Sequence, residues 1–279
     1  MTGAEALREA VARLRAAGVA DPARDARILL AHALGVDRVR LTLVLPEKLP
    51  ASARARLEAA VAARAARQPV AQITGRRAFF GRDFKVTPQV LDPRPETEVL
   101  VRACLDLPGE SLLDLGTGSG CILLTWLAER PGARGVGVDA SKAALAVARE
   151  NARALGVESR ADFLLSDWFE AVEGRFDLIA SNPPYVSAAE MQVLAPEVRK
   201  WEPAAALTPG GDGLDACRTI VRRAPDFLHP GGWLAMEIGA SQGGEVSALF
   251  RQAGLEDIRT LPDLDGRDRV VTGRLPGNR

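Results

Sequence analysis

Histidine is scarce in this 279-residue chain, which carries only His32 and His229. The three cysteines, Cys104, Cys121 and Cys217, are widely spaced and form no paired ligand pattern. A zinc or iron site therefore lacks its donors, and so does a hydrolase built on Ser-His-Asp or Cys-His; no metal is expected. The thiols read as reduced and mostly buried. Long apolar runs are missing as well: none approaches the roughly 20 residues that cross a bilayer. Near the start, Glu5, Arg8 and Glu9 interrupt any signal-peptide core. These absences point to a cytoplasmic protein with no membrane partner.

What is present is a globular composition, 47% hydrophobic and 26% charged, long enough for one ordinary domain and a smaller one. Net charge is zero but unevenly spread: residues 1–75 hold 12 Lys and Arg against 7 Asp and Glu. That excess is either a solvated helical surface or a mildly basic face for a partner bound to RNA. It is not the basic stripe of a protein that itself grips nucleic acid, so no stable nucleic-acid binding is expected.

Residues 1–75 read as short helices. Leu7, Val11 and Leu14 share a face, and Asp21-Pro22 supplies an N-cap and a first-turn proline for a helix whose Ala26, Leu29, Leu30, Ala33 and Leu34 stop at Gly35. Residues 76–92, with Phe79, Phe80, Phe84 and Val86 around Gly81, predict a hairpin linking two domains. Over 93–279 strand patterns near 111–115, 135–139, 162–165, 176–180, 232–238 and 269–273 alternate mostly with helical ones. This predicts an α/β domain with a mostly parallel, Rossmann-like sheet behind a small N-terminal helical bundle.

Two motifs carry the chemistry. Leu112 to Leu115 is an apolar strand that runs into Gly116-Thr117-Gly118-Ser119-Gly120 and then a helix. Such a turn lets backbone pass close to a ligand and offers N–H groups at a helix start. A dinucleotide fingerprint fails in detail, because Cys121 and Leu123 stand where its last glycine belongs. Asp139, at the end of the next strand, can accept from both ribose hydroxyls or simply cap the following helix. Asp167-Trp168 follows the third strand and offers an adenine ring a polar contact and an aromatic face, although a tryptophan there also serves packing. Taken in order, glycine turn, ribose acid and adenine platform describe an S-adenosylmethionine pocket.

The second motif is Asn182-Pro183-Pro184-Tyr185, directly after the strand Phe176 to Ala180 and holding the chain's single tyrosine. It can be a proline-rich turn with a packed tyrosine. It can also hold a planar amino group: the Asn182 oxygen and the Pro183 carbonyl accept its hydrogens, the prolines fix the turn, and Tyr185 stands as a wall. Asn182 would then border both cofactor and substrate. An amide nitrogen held in this way needs no general base before methyl transfer. The 186–213 segment, with Glu197, Arg199, Trp201 and Glu202, is too long for an ordinary connection and suits a substrate-shaping lid.

The whole chain resembles class I methyltransferases of the HemK/PrmC family. The likeness rests on Asp25 to His32, Gly81 to Val90, Pro93-Arg94-Pro95-Glu96-Thr97-Glu98, both motifs above and Gly266-Arg267-Asp268-Arg269. Asp92 departs from it, since the family usually has an apolar residue before that proline. The resemblance implies methyl transfer from S-adenosyl-L-methionine to the glutamine amide of the Gly-Gly-Gln motif in class-1 peptide-chain release factors, leaving S-adenosyl-L-homocysteine. It also implies an N-terminal substrate-recognition domain and a monomer. A nucleic-acid amino methyltransferase, or a glutamine methyltransferase for a ribosomal protein, would use the same turn.

Overall fold

The computed structural model describes residues 1–277. In chain order the elements are α1 (Gly3–Ala16), α2 (Pro22–Leu34), α3 (Leu41–Val44), α4 (Ala51–Ala65), α5 (Val70–Thr74), β1 (Arg76–Phe79) and β2 (Arg82–Lys85). There follow α6 (Thr97–Asp106), β3 (Ser111–Leu115), α7 (Cys121–Glu129), β4 (Arg134–Asp139), α8 (Lys142–Ala154), β5 (Ala161–Leu165) and β6 (Phe176–Ser181). The chain ends with α9 (Pro196–Trp201), α10 (Asp215–Phe227), β7 (Leu228–Glu237), α11 (Gly243–Gln252), β8 (Glu256–Pro262) and β9 (Asp268–Arg274).

Two compact units result, one of Met1–Arg76 with Ala195–Trp201, the other of Arg77–Leu194 with Glu202–Arg279. In the first, helix ends follow local chemistry. Asp21 accepts from the Arg24 N–H at 3.1 Å with Pro22 at the first turn, and Gly35 closes α2 in the left-handed region. Leu14, Leu29, Leu30, Leu57 and Val61 form its apolar centre. Helix α9 belongs to this unit through charge: Arg64 donates to Asp25 at 2.7 Å and to Glu197 at 3.0 Å, and Arg67 donates to Glu197 at 2.8 Å.

In the second unit, among the described residues, a seven-stranded sheet runs in the order β5-β4-β3-β6-β7-β9-β8. Strands β3 to β7 pair in parallel; β9 is antiparallel to both β7 and β8. Alternation along β3 sends Leu112 to a core shared with α6, α7, Phe79 and Phe84, and Leu113 to one shared with α10 and α11. Edge strand β8 has no counterpart in the sequence reading. Its residues are mostly exposed and show no apolar alternation, and Asp257 sits at φ +52°. The β5 to β6 connection carries no α-helix.

Candidate active site

From β3 the chain proceeds to β4 and β5 on one side, while β6 lies on the other, so the strand order reverses at the carboxyl end of β3. In an open α/β sheet a ligand crevice opens at that point. There the second unit holds a cavity of about 590 Å³, within the 300 to 1,000 Å³ of small-molecule sites. Gly116, Thr117, Gly118, Ser119, Asp139, Asp167, Trp168, Asn182 and Pro184 all line it. Sequence positions scattered over 69 residues, from Gly116 to Pro184, thus meet in one space.

The glycine turn works through its backbone. Gly116 and Gly118 adopt φ +71° and +55°, and a Cβ on Gly118 would find nothing closer than 3.9 Å, so the turn leaves open space toward the cavity. The Thr117 N–H donates to the Val138 carbonyl at 2.8 Å, tying the turn to β4. Behind it, Asp114 is fully buried and its Oδ2 accepts from the Thr117 hydroxyl at 2.6 Å. Burial pushes that carboxyl up to about 7 against the pull of the hydroxyl.

Asp139 joins this turn to the next helix. Its Oδ2 accepts from the Gly118 N–H at 2.9 Å and its Oδ1 from the Ser141 N–H at 2.8 Å. The cap of α8 is Ser141, whose hydroxyl accepts from the Ala144 N–H at 3.2 Å. A carboxylate has about four acceptor sites, so two remain for a diol. Trp168 stands at φ +46°, a left-handed conformation costly for a bulky residue, with its ring 3.7 Å from where a Cβ on Gly116 would lie. Strain of this kind persists where surrounding structure enforces it, commonly at ligand sites.

Strand β6 closes on Ser181, whose hydroxyl donates to the Leu115 carbonyl at 2.8 Å. Asn182, which lines the cavity, donates through Nδ2 to Thr97 Oγ1 at 3.2 Å, leaving its Oδ1 as the side chain's available acceptor. Pro183 is buried, and Tyr185 points its hydroxyl at Glu237 Oε1, 3.4 Å away. Burial, reinforced by Glu237, raises the tyrosine hydroxyl well above its usual range. Gln242 fixes the Tyr185 backbone, donating to its carbonyl at 3.0 Å while accepting the Gly239 N–H at 2.9 Å.

Gly120, Pro183 and Tyr185 stand behind the cavity wall rather than in it. Gly120, at φ +80°, starts α7, and a Cβ there would strike Leu124 Cδ1 at 2.8 Å. Across the cavity, Arg94, Pro203 and Ala206 contribute to the wall, and Arg94 is paired with Glu202. Of the 186–213 segment the short 203–206 stretch therefore reaches the cavity. Sequence reasoning assigned no role to Thr97, Glu237 or Gln242. The one signal was Glu237 itself, an acid closing the apolar run Leu234-Ala235-Met236 at a strand's carboxyl end.

A family profile described as the PrmC N-terminal domain matches residues 5–75, and one described as the methyltransferase small domain matches 91–253. The release factor glutamine methyltransferase of Cereibacter sphaeroides is 63% identical over 276 residues, covering 99% of both chains. The chain belongs to the release factor glutamine methyltransferase family. A second relative of that name, from Rhodospirillum rubrum, is 46% identical over 94% of this chain and 82% of its own.

Solved structures support the fold of this family member more broadly. A methyltransferase from Pyrococcus furiosus superposes with a TM-score of 0.54 at 17% identity, covering 78% of this chain and 98% of that one. The 16S rRNA N2 G1207 methyltransferase of Thermus thermophilus gives 0.52 at 22% identity, over 72% and 49%. Among the described residues no group of His, Cys, Asp or Glu could hold a metal ion.

Proposed function

We propose that the chain methylates the side-chain amide nitrogen of the glutamine in the Gly-Gly-Gln motif of class-1 release factors, using S-adenosyl-L-methionine. The observation that carries this reading is the fixed orientation of Asn182. With Nδ2 committed to Thr97, its oxygen is the side chain's available acceptor, which suits an incoming N–H and repels a carbonyl.

The cofactor fits what lines the cavity. Gly116 to Gly118 leave room for backbone contact, Asp139 retains acceptor sites for the ribose, and Asp167 with Trp168 suits the adenine. When bound it supplies an electrophilic methyl group. The rest is done by the chain. An amide lone pair is delocalised into its carbonyl; an acceptor at Asn182 Oδ1 holds an N–H bond and stabilises positive charge developing on nitrogen. The methylated amide returns its extra proton to water. Tyr185, held from behind, supports the turn rather than closing the cavity wall.

Residues 1–75 act in this reading as the recognition domain for the release factor, and the chain works as a cytoplasmic monomer without stable nucleic-acid contacts. Among the described residues no helix is long and apolar enough to cross a membrane. Labelled S-adenosylmethionine offered with release factor, ribosomal proteins or RNA tests the assignment. Label on the release-factor glutamine, lost with Asn182→Ala, is expected; label on RNA or a ribosomal protein instead would replace the reading.

A further inference from the structure

Glu237, at the carboxyl end of β7, is 1% exposed, and no hydrogen bond of good geometry reaches its Oε2. A buried polar atom without a partner calls for an explanation. Three elements converge on this carboxyl. Tyr185, beyond β6, directs its hydroxyl to Oε1, and Thr97, at the head of α6, faces it with its own hydroxyl. Thr97 in turn receives the Asn182 amide at 3.2 Å. Both side chains of the substrate turn therefore trace back to one acid.

Hydrogen-bond polarity gives that arrangement a purpose. An Asn side chain presents an acceptor and a donor that look nearly alike in shape, and only its partner decides which faces outward. Thr97 has a single hydroxyl hydrogen. Aimed at an acceptor-only carboxylate, that hydrogen leaves lone pairs toward Asn182, so Nδ2 turns inward and Oδ1 outward. We propose that Glu237 and Thr97 are positioning residues for methyl transfer, setting the outward acceptor of Asn182 through a hydroxyl relay and anchoring Tyr185 from the same carboxyl. This inference rests on the reading that Asn182 receives the substrate amide.

The groups facing Glu237 are Tyr185, Arg269 on β9, Glu96 just before α6 and the Cys121 thiol at the head of α7. Burial pushes Glu237 up to about 7; Thr97, Arg269 and Tyr185 oppose this, and Glu96 adds to it. A protonated Glu237 becomes a donor, and the relay loses its direction. The rate of transfer should therefore climb as pH rises through about 7.

Single-turnover rates at saturating labelled S-adenosylmethionine and release factor, measured across pH with cofactor Kd alongside, test the relay. Thr97→Val should slow transfer on the order of tenfold to a hundredfold with unchanged Kd, and Thr97→Ser should restore most of the rate. Glu237→Gln should slow transfer and abolish the rise near pH 7, whereas Asp114→Asn, which alters a second acid that titrates in this range, should leave the rise in place. Wild-type rates in Thr97→Val, or an unchanged rise in Glu237→Gln, with Asn182→Ala inactive, would overturn the relay alone. A near-normal Asn182→Ala would overturn the reading of the turn and the relay with it. If Glu237→Gln fails to fold, the contrast of valine and serine at 97 decides.

Discussion

One nitrogen of the Arg94 guanidinium, Nη2, lies 2.6 Å from both carboxylate oxygens of Glu202. The Glu202 side chain is 1% exposed and that of Arg94 32%. The pair joins the start of the methyltransferase unit to the stretch just before Pro203 and Ala206, so it holds one cavity wall in place. Burial, reinforced by the charge of Asp92, raises the Glu202 carboxyl, and Arg94 pulls it back.

Arg94→Ala should consequently leave a buried acid without its hydrogen-bonded counter-ion. Breaking a buried pair costs about 3 to 5 kcal/mol, and the partial exposure of Arg94 places the loss near the lower end. Denaturant unfolding of Arg94→Ala, Glu202→Gln and the double variant reads this directly. The double variant should regain part of the loss; strictly additive effects would mean the two side chains are not coupled.

Asp139→Ala should weaken cofactor binding by roughly tenfold to a hundredfold, the worth of hydrogen bonds to a charged group. The variant also frees the Gly118 and Ser141 N–H groups that Asp139 now receives. Asp139→Asn keeps one acceptor and should lose less. Titration calorimetry on folded protein decides, and an unaltered Kd for the alanine variant would remove Asp139 from the cofactor site.

Much of this site was legible because its parts are local. Each proposed cofactor element lies at or just past the end of its own strand, so Gly116 to Gly120, Asp139 and Asp167-Trp168 could be put forward as candidates once the strands were recognised. Thr97 and Glu237 could not, since their meaning lies in hydrogen-bond direction between segments far apart in sequence. The same holds for Glu197: a carboxylate on a weak helical pattern gains its role only when Arg64 from α4 and Arg67 from the turn after it arrive. Strand β8 was hidden for a different reason, an exposed edge that needs no apolar alternation.

The contribution of the buried acids to stability should fall as pH rises from about 4 to about 7. Asp114 ionises near 3.8 in an unfolded chain but holds its proton to about 7 when folded. Between those values the folded state binds more protons, so each increment of pH favours unfolding until about pH 7, and the loss persists above it. Glu237, also raised to about 7, acts in the same direction. Asp114→Asn removes one contributor; its melting temperature should drop less than that of the wild type between about pH 5 and pH 7.5. Equal slopes for the two proteins would mean that Asp114 ionises in the folded chain as it does in water.

Gly213 offers the most selective test of how the Asn182–Tyr185 turn is held. It sits at φ +85°, and a Cβ there would lie 2.4 Å from the Tyr185 carbonyl oxygen, which is backbone and cannot swing aside. Gly210 has the same φ of +85° with nothing within 4 Å. Alanine at either position meets the same left-handed penalty of about 1 to 2 kcal/mol, but only Gly213→Ala must also push Tyr185 away from Gln242. Neither glycine lines the cavity, so cofactor Kd should stay near the wild-type value in both. A displacement of the turn by about 1 Å can cost on the order of a hundredfold in rate. Gly213→Ala should therefore lose turnover that Gly210→Ala retains. Equal kcat for the two would mean that the position of Tyr185 does not govern methyl transfer.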